Sequence, residues 1–472
     1  MNVAILHYHF DRGGVTRVVS STLDAFRGDS SIRFGLLSGR PVEGMGAPVE
    51  LIPELDYSSP DGISPDPAKL LSKVVAAARK LFGGQDPDVW HIHNPALGKN
   101  TAFCGLVHRL ATEGHALLLQ EHDFAEDFRP ANFRLREQGR EPTAAPFPHA
   151  PRVRFATING RDKEILQAAG IPAERVFPLP NPVPPTEEFF PPSDSNILLY
   201  PVRALARKNL GELLLLAYAA GDRYRWETTL PPTNPAYRAQ FARWKEVAAS
   251  LDLPVRLGVA DEEDIPFSER MASCRAVVTT SVAEGFGLSF LEPWTYGRPV
   301  IGRDLPEITG EFRNEGIPLA SLYNEFPIPA AAVDRLAVAK QWRSGIEFAY
   351  EAFGVPAPEA DLNPIECRLR EAEQIDFALL GEKLQESTLI NLRREEIPIY
   401  SPLPEINSLA TETEAISNKI LSRFSIESYA AKLRGIYETL AQSPEESLAS
   451  ANPVDVLRGF LRPERFRPHF VS

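Results

Sequence analysis

Short apolar runs rich in β-branched residues alternate with amphipathic segments along most of this 472-residue chain, and that alternation restricts the fold more than any other feature. Parallel strands covered on both faces read as near-continuous apolar runs, and each needs a crossover to its neighbour, usually a helix. Before residue 181 the runs are VAILHYH, RFGLLSG, DVWHIHN, ALLLQEH, RVRFATI and RVFPLP. Between them TRVVSSTLDAF, PAKLLSKVVAAARKLF, TAFCGLVHRLATEG and RDKEILQAAG place apolar residues at helical spacing. Residues 1–181 are therefore predicted to form a Rossmann-like α/β domain.

The stretch PNPVPPTEEFFPPSD carries too much proline for a helix or a central strand, so an interdomain linker is placed at 182–194. A second alternation follows, with strands ILLYPV, WETTL, VRLGV, AVVTT and PVIG. Helices are expected near Leu210 to Tyr218, Tyr237 to Leu251, Pro266 to Cys274 and Leu288 to Tyr296. Residues 195–423 thus read as another doubly wound unit. Within it 304–410 is atypical and reads as a helical insertion, with helical stretches at 333–353 and 366–392 and a local loop at PAPEADLNP. Residues 424–472 read as closing helices that return to the first domain.

A formal charge of −13 disfavours binding to a nucleic-acid backbone, which depends on clustered Lys and Arg. The same acidic balance weighs against anionic membrane surfaces. No window approaches the roughly 18 apolar residues of a membrane span, and the N-terminus shows no basic segment leading into a long apolar run, so a cytoplasmic protein is expected. Cys104, Cys274 and Cys367 show no C-x-x-C spacing and are expected to be small buried hydrophobes.

Ligands of open α/β sheets bind beyond the carboxyl ends of the strands. His7 and His9 follow the first run, and the turn FDRGG then places Gly13 and Gly14 before a helix whose N–H groups could meet an anion. HIHNP puts His91 and His93 on one face of a strand, and EHDF puts His122 and Asp123 at the end of the next. Structural roles would explain any one of these histidines, and the two H-x-H pairs also invite a rival reading as metal ligands. In the second half, Arg203 and Lys208 in YPVRALARKNL can neutralise a diphosphate, or can be solvated surface cations. In SVAEGFGLSFLEP, Glu284 falls in the loop after a strand, and Glu292 falls one turn into a helix expected from Leu288. Taken alone, the pair could equally be a helix-dipole partner and a solvated charge.

The segment TS-x-x-EGFGL-x-x-LE followed by YGRPVI resembles the E-x7-E signature of the retaining glycosyltransferases of family 4. The GG turn, the strand ending in His-Asp, LPNPV, R-x4-KN and FSIESYAAKLRGIYETL fall in the order of that family's pattern, over most of residues 1–303 and again from about 410. The resemblance implies a GT-B fold, α/β with two Rossmann-like domains facing across a cleft, and a hexosyltransferase acting between a nucleotide-sugar donor and a hydroxyl acceptor. It implies that Arg203 and Lys208 hold the donor diphosphate and Glu292 the ribose. Glu284 would meet hydroxyls of the transferred sugar, with Gly285, Phe286, Gly287 and Leu288 supplying backbone donors. His122 would lie at the reacting centre, with Gly13 and Gly14 near the diphosphate or acceptor and His93 and Asp123 on the acceptor side. No cofactor or metal is implied. A sugar phosphorylase or nucleotide-sugar epimerase would reuse the same cationic pocket, and a non-catalytic sugar-nucleotide-binding scaffold is the reading of a different class. Residues 304–410 depart from the family's pattern.

Overall fold

A computed structural model of the chain describes residues 1–11, 13–59, 64–141, 143–183, 185–186 and 189–470. Contacts divide it into two compact units, Met1–Pro184 with Phe424–Arg462, and Pro185–Arg423 with Pro463–Ser472. Of the Pro-rich segment at 182–194, Pro184, Glu187 and Glu188 lie outside the described residues. Residues 424–462 belong to the first unit, whereas 463–472, grouped with them on sequence, belong to the second.

The first unit is built on strands β1 (Asn2–Leu6), β2 (Arg33–Ser38), β3 (Val49–Leu51), β4 (Val89–His93), β5 (Leu117–Glu121), β6 (Val153–Thr157) and β7 (Val176–Pro178). Their order is β3-β2-β1-β4-β5-β6-β7 and every pairing is parallel. Strands β1, β4 and β5 are buried along their whole length, which is why they read as unbroken apolar runs. The order reverses between β1 and β4, the topological switch point at which such sheets bind ligands.

Helix Ile426–Gln442 packs onto this sheet through Tyr429 and Tyr437, both buried. The Tyr437 hydroxyl lies 2.8 Å from Nδ1 of His91, whose Nε2 is 2.8 Å from Oε1 of Gln120. With Nε2–H donating to the Gln120 oxygen, Nδ1 accepts from Tyr437, so His91 ties the closing helix to β4 and β5. Tyr437→Phe should leave that nitrogen buried without a partner and cost about 1–2 kcal/mol. A denaturant melt of the variant checks this, and a midpoint equal to wild type would show that the bond contributes nothing.

The second unit carries β8 (Ile197–Arg203), β9 (Arg225–Leu230), β10 (Val255–Leu257), β11 (Ala276–Thr279), β12 (Val300–Arg303) and β13 (Leu322–Tyr323), in parallel order β10-β9-β8-β11-β12-β13. Helix Leu210–Ala220 is buried along most of its length, since helix Glu382–Arg394 covers its outer side, with Tyr218 Oη donating to Leu392 O at 3.1 Å. A Cβ on Gly211 would meet the buried side chains of Gln385 and Trp244, so a larger residue there would have to displace them.

The atypical segment is not purely helical. It adds β13 to the sheet and contributes an antiparallel pair, Pro327–Pro329 with Gln374–Asp376. The helical stretch expected at 366–392 is two helices, Glu359–Glu371 and Glu382–Arg394, with a strand between them. The loop expected at 356–364 is helical from Glu359 despite Pro364, with Glu359 and Asp361 in the first turn where the helix dipole favours acids. Cys104 and Cys274 are buried, but Cys367 is exposed, contrary to the expectation for all three. No helix among the described residues is long and apolar enough to cross a membrane.

Candidate active site

In the second unit two loops beyond the sheet's carboxyl edge are bonded to each other. After β8 the chain makes a 3₁₀ turn over Ala206–Lys208, and Asn209 then adopts a left-handed conformation, φ 52°, before helix Leu210–Ala220 begins. After β11 comes the loop that carries Thr280 to Gly287. Thr280 Oγ1 donates to Lys208 O at 3.0 Å, Val282 N donates to Arg207 O at 2.9 Å, and Tyr200 Oη donates to Lys208 O at 3.0 Å while lying 2.8 Å from Ser281 Oγ.

This bonding delivers Lys208 and Arg207 to Glu284. Lys208 Nζ donates to Oε1, and Arg207 Nη1 donates to Oε2 at 3.1 Å and to Ala283 O at 3.0 Å. The Glu284 and Lys208 side chains are only 10% and 11% exposed. Burial pushes the carboxyl upward, but Lys208 and then Arg207 outweigh it and hold Glu284 at about 2. Glu284 is therefore a permanent anion, suited to accepting hydrogen bonds.

Arg203 ends β8, but its Nη1 reaches only Pro231 O, at 3.5 Å. The cations on Glu284 are Lys208 and Arg207, and Arg207 is a site residue that the sequence alone does not single out. Its position beside Lys208 in ALARKN was the available signal.

The helix expected from Leu288 to Tyr296 is broken. A 3₁₀ turn covers Leu288–Phe290, and the α-helix spans only Glu292–Thr295. Pro293 has no N–H to continue the hydrogen-bond ladder from the preceding turn. Glu292 is consequently the first residue of its helix rather than one turn in, and it is half-buried. Gly287 has φ 88°, and a Cβ there would meet the Phe290 ring at 2.8 Å. Phe286 turns its ring into the core against Phe312, at 5.5 Å between centroids, so only its backbone is available to a ligand.

In the first unit Gly13 is extended at the N-cap of helix Gly14–Ala25, and no atom lies within 4 Å of where a Cβ on Gly14 would stand. Neither glycine is required by local backbone geometry. His93 and His122 end β4 and follow β5, with His93 Nδ1 2.9 Å from His122 Nε2 and their rings stacked at 5.2 Å. Burial drives both imidazoles down, His122 to about 3, so the bond joins two neutral rings. Asn94, in a left-handed conformation at φ 54°, accepts from the backbone N–H of His122 at 2.7 Å and of Asp123 at 3.1 Å. The Asp123 carboxylate is ion-paired with Arg129. His91 and His93 share a face, their rings 4.3 Å apart, while His9 packs on Tyr57. Among the described residues no group of three or more His, Cys, Asp or Glu is placed to hold a metal ion.

No family model matches the chain. It is 26% identical over 480 residues to a mannosylglucosyl-3-phosphoglycerate synthase of Petrotoga mobilis, covering 92% of this chain and 90% of that protein. Among solved structures it is similar to the lipopolysaccharide outer core galactosyltransferase WaaB, with TM-score 0.52, 13% identity, and 93% of this chain and 99% of that one covered. Anabaena HepE in complex with UDP and glucose gives TM-score 0.53 at 14% identity, over 93% of this chain and all (100%) of that one. Sucrose-phosphate synthase of Thermosynechococcus elongatus gives 0.52 at 14%, over 93% and 99%. These likenesses establish the fold, the two parallel α/β units of the GT-B class.

Proposed function

We propose that the protein is a glycosyltransferase that moves a sugar from a nucleoside-diphosphate donor to a hydroxyl acceptor with retention of anomeric configuration. The observation that carries this reading is the Glu284 carboxylate, held ionised by Lys208 and Arg207 at the carboxyl edge of the second sheet. The relative and the solved structures of similar fold point the same way. Glu284 would accept hydrogen bonds from hydroxyls of the transferred sugar. Lys208 spends one N–H on Glu284 and keeps two for oxygens of the diphosphate. Arg203, whose Nη1 makes one long bond, supplies further donors to the same group. Cations fixed where negative charge develops on the leaving group lower the barrier without reorganising. Glu292 would hold the ribose, and the turn at Gly285 to Leu288 would add backbone donors. A carboxyl held near 2 is not a proton donor at neutral pH, so acid catalysis by Glu284 plays no part.

The test is a thermal-shift panel of UDP-, GDP- and ADP-sugars, followed by turnover on the best donor. Glycosylated 3-phosphoglycerate is the first acceptor to try, since the Petrotoga relative is named for such a product. Lys208→Met and Glu284→Gln should each cut turnover about 10²-fold. Release of nucleoside diphosphate only with acceptor indicates transfer, and formation of a sugar phosphate indicates a phosphorylase. Release of neither, with binding intact, would leave the non-catalytic scaffold. Carbon-13 NMR of the first-formed anomer decides retention.

A further inference from the structure

Resting on the transferase reading, we infer that the acceptor carries a phosphate or carboxylate, and that Lys99, with Arg129 beside it and the Tyr57 ring beneath it, is the site that binds this anionic group. All three residues lie beyond the carboxyl ends of the first unit's strands, Tyr57 after β3, Lys99 after β4 and Arg129 after β5. This is the edge at which open α/β sheets take their ligands.

Lys99 is fixed there rather than left to wander on a surface loop. Asn100 Nδ2 donates to Glu54 O at 2.8 Å and Asp56 O at 2.6 Å, and Ser58 N donates to Lys99 O at 2.9 Å. On the other side Gly98, at φ 74°, runs so close to helix Pro130–Gly139 that a Cβ would sit 2.2 Å from Asn132 O. The loop carrying Lys99 is thus clamped between Tyr57 and the helix that Arg129 precedes.

Around Tyr57 the cations Lys99, Arg129 and Arg40 face the carboxylates Asp123, Asp56 and Asp11, but the ion pairs among them leave Lys99 out. Lys99 is half-buried and makes no ion pair among the described residues, and its ammonium lies over the Tyr57 ring at 5.3 Å. The nearby carboxylate, Asp123, is already taken by Arg129. Arg40 also lies over the Tyr57 ring, at 5.6 Å, and is ion-paired with Asp56 and Asp11. Burial first, and Arg129 second, lower the Lys99 ammonium from its ordinary value, while Asp123 opposes them. A half-buried ammonium that has no ion pair and a guanidinium nearby carries a cost that an incoming anion removes. A phosphate monoester, with several oxygens to share between an ammonium and a guanidinium, matches this arrangement. A donor sugar offers no charge for it.

The experiment is isothermal titration of the nucleotide-saturated protein with D-3-phosphoglycerate, D-glycerate and inorganic phosphate, repeated on Lys99→Met, Lys99→Arg and Arg129→Gln. Wild type should bind at least one of these anions, and the choice among them tells phosphate from carboxylate recognition. Lys99→Met and Arg129→Gln should each weaken binding about tenfold or more, Lys99→Arg should hold it within a few-fold, and nucleotide binding should be unchanged in all three. Equal anion affinity in wild type and Lys99→Met overturns the inference, as does a wild type that binds none of the three probes. A protein that binds the anions through Lys99 but responds to no nucleotide sugar would instead sink the transferase reading, and the acceptor assignment with it.

Discussion

Lowering the pH from 7 to about 4.5 is expected to unfold the first unit, with stability falling by roughly 3–4 kcal/mol per pH unit near pH 5.5. His7, His91, His93 and His122 are buried in this unit, at 5%, 0%, 0% and 7% exposure. Burial lowers His7 and His122 to about 3 and His91 to about 4, and drives His93 well down. For a base whose folded value is depressed, stability is complete above its unfolded value near 6.5. It is lost as pH falls below that, because the unfolded chain takes protons that the folded chain refuses. Two buried acids oppose this. Glu121 and Asp162 are both raised by burial, so each favours the folded state as pH falls toward the ordinary carboxyl range. Four histidines against two acids leave roughly two to three protons of difference, and each is worth about 1.4 kcal/mol per pH unit. Domains have only about 5–15 kcal/mol to lose. Hydrogen exchange with peptide resolution measures the effect unit by unit. Fast exchange over β4 and β5 at pH 4.5 and slow exchange at pH 7 is the expected result, and slow exchange at both would show that these imidazoles accept protons in the fold.

The same histidines mark what a sequence can and cannot say. DVWHIHN and ALLLQEH are legible as strands because burial on both faces makes a parallel strand continuously apolar, and their ends locate His93 and His122 at the carboxyl edge of the sheet. Burial of a polar strand residue, however, depends on what packs over it, as Tyr437 from a helix far along the chain packs over His91. The helix expected at Leu288 to Tyr296 follows from apolar spacing, which overlooks the donor missing at Pro293. Likewise Lys208 is identifiable as a cation at a strand-to-helix turn, but that it meets Glu284 depends on Thr280 and Val282 bonding two loops together. Arg207 and Lys99 look like ordinary surface charges in the string of residues. Only tertiary neighbours distinguish a cation that is neutralised from one that is not.

Arg303 is the extreme case of this dependence, and replacing it by methionine should destabilise the second unit by about 3–5 kcal/mol, lowering its melting temperature by on the order of 10 °C. Its guanidinium ends β12 with every donor engaged. Nε and Nη2 each donate to Glu212 at 2.7 Å, Nη2 and Nη1 donate to Asp376 at 2.6 and 3.1 Å, and Nη1 also donates to Asn324 O at 2.9 Å. Arg303, Glu212 and Asp376 are 4%, 0% and 6% exposed, so water cannot take over from a lost partner. Tyr323 Oη donates to Glu212 at 2.8 Å and Phe326 N donates to Asp376 at 3.0 Å, which fastens β13 and the strand Gln374–Asp376 to the same arginine. Methionine fills much of the volume but leaves two buried carboxylates without their cation. Burial already raises the Glu212 carboxyl against the pull of Arg303, so without the guanidinium Glu212 should rise further and take up a proton in the folded state. A raised acid favours folding below its folded value, so the deficit should shrink as pH falls from 8 toward 5. Arg303→Met combined with Glu212→Leu and Asp376→Leu removes the stranded charges and should recover much of the loss, because buried ion pairs cost about as much in desolvation as they return. The consequence for the site runs through Asn209, whose Nδ2 donates to Glu212 at 2.9 Å directly after Lys208. Arg303→Met should therefore also loosen the turn that presents Lys208 to Glu284, and weaken nucleotide-sugar binding even at temperatures where the unit stays folded. A single variant melting within 2 °C of wild type would show that the two carboxylates find other partners, and that the network is not what fastens residues 322–376 to the sheet.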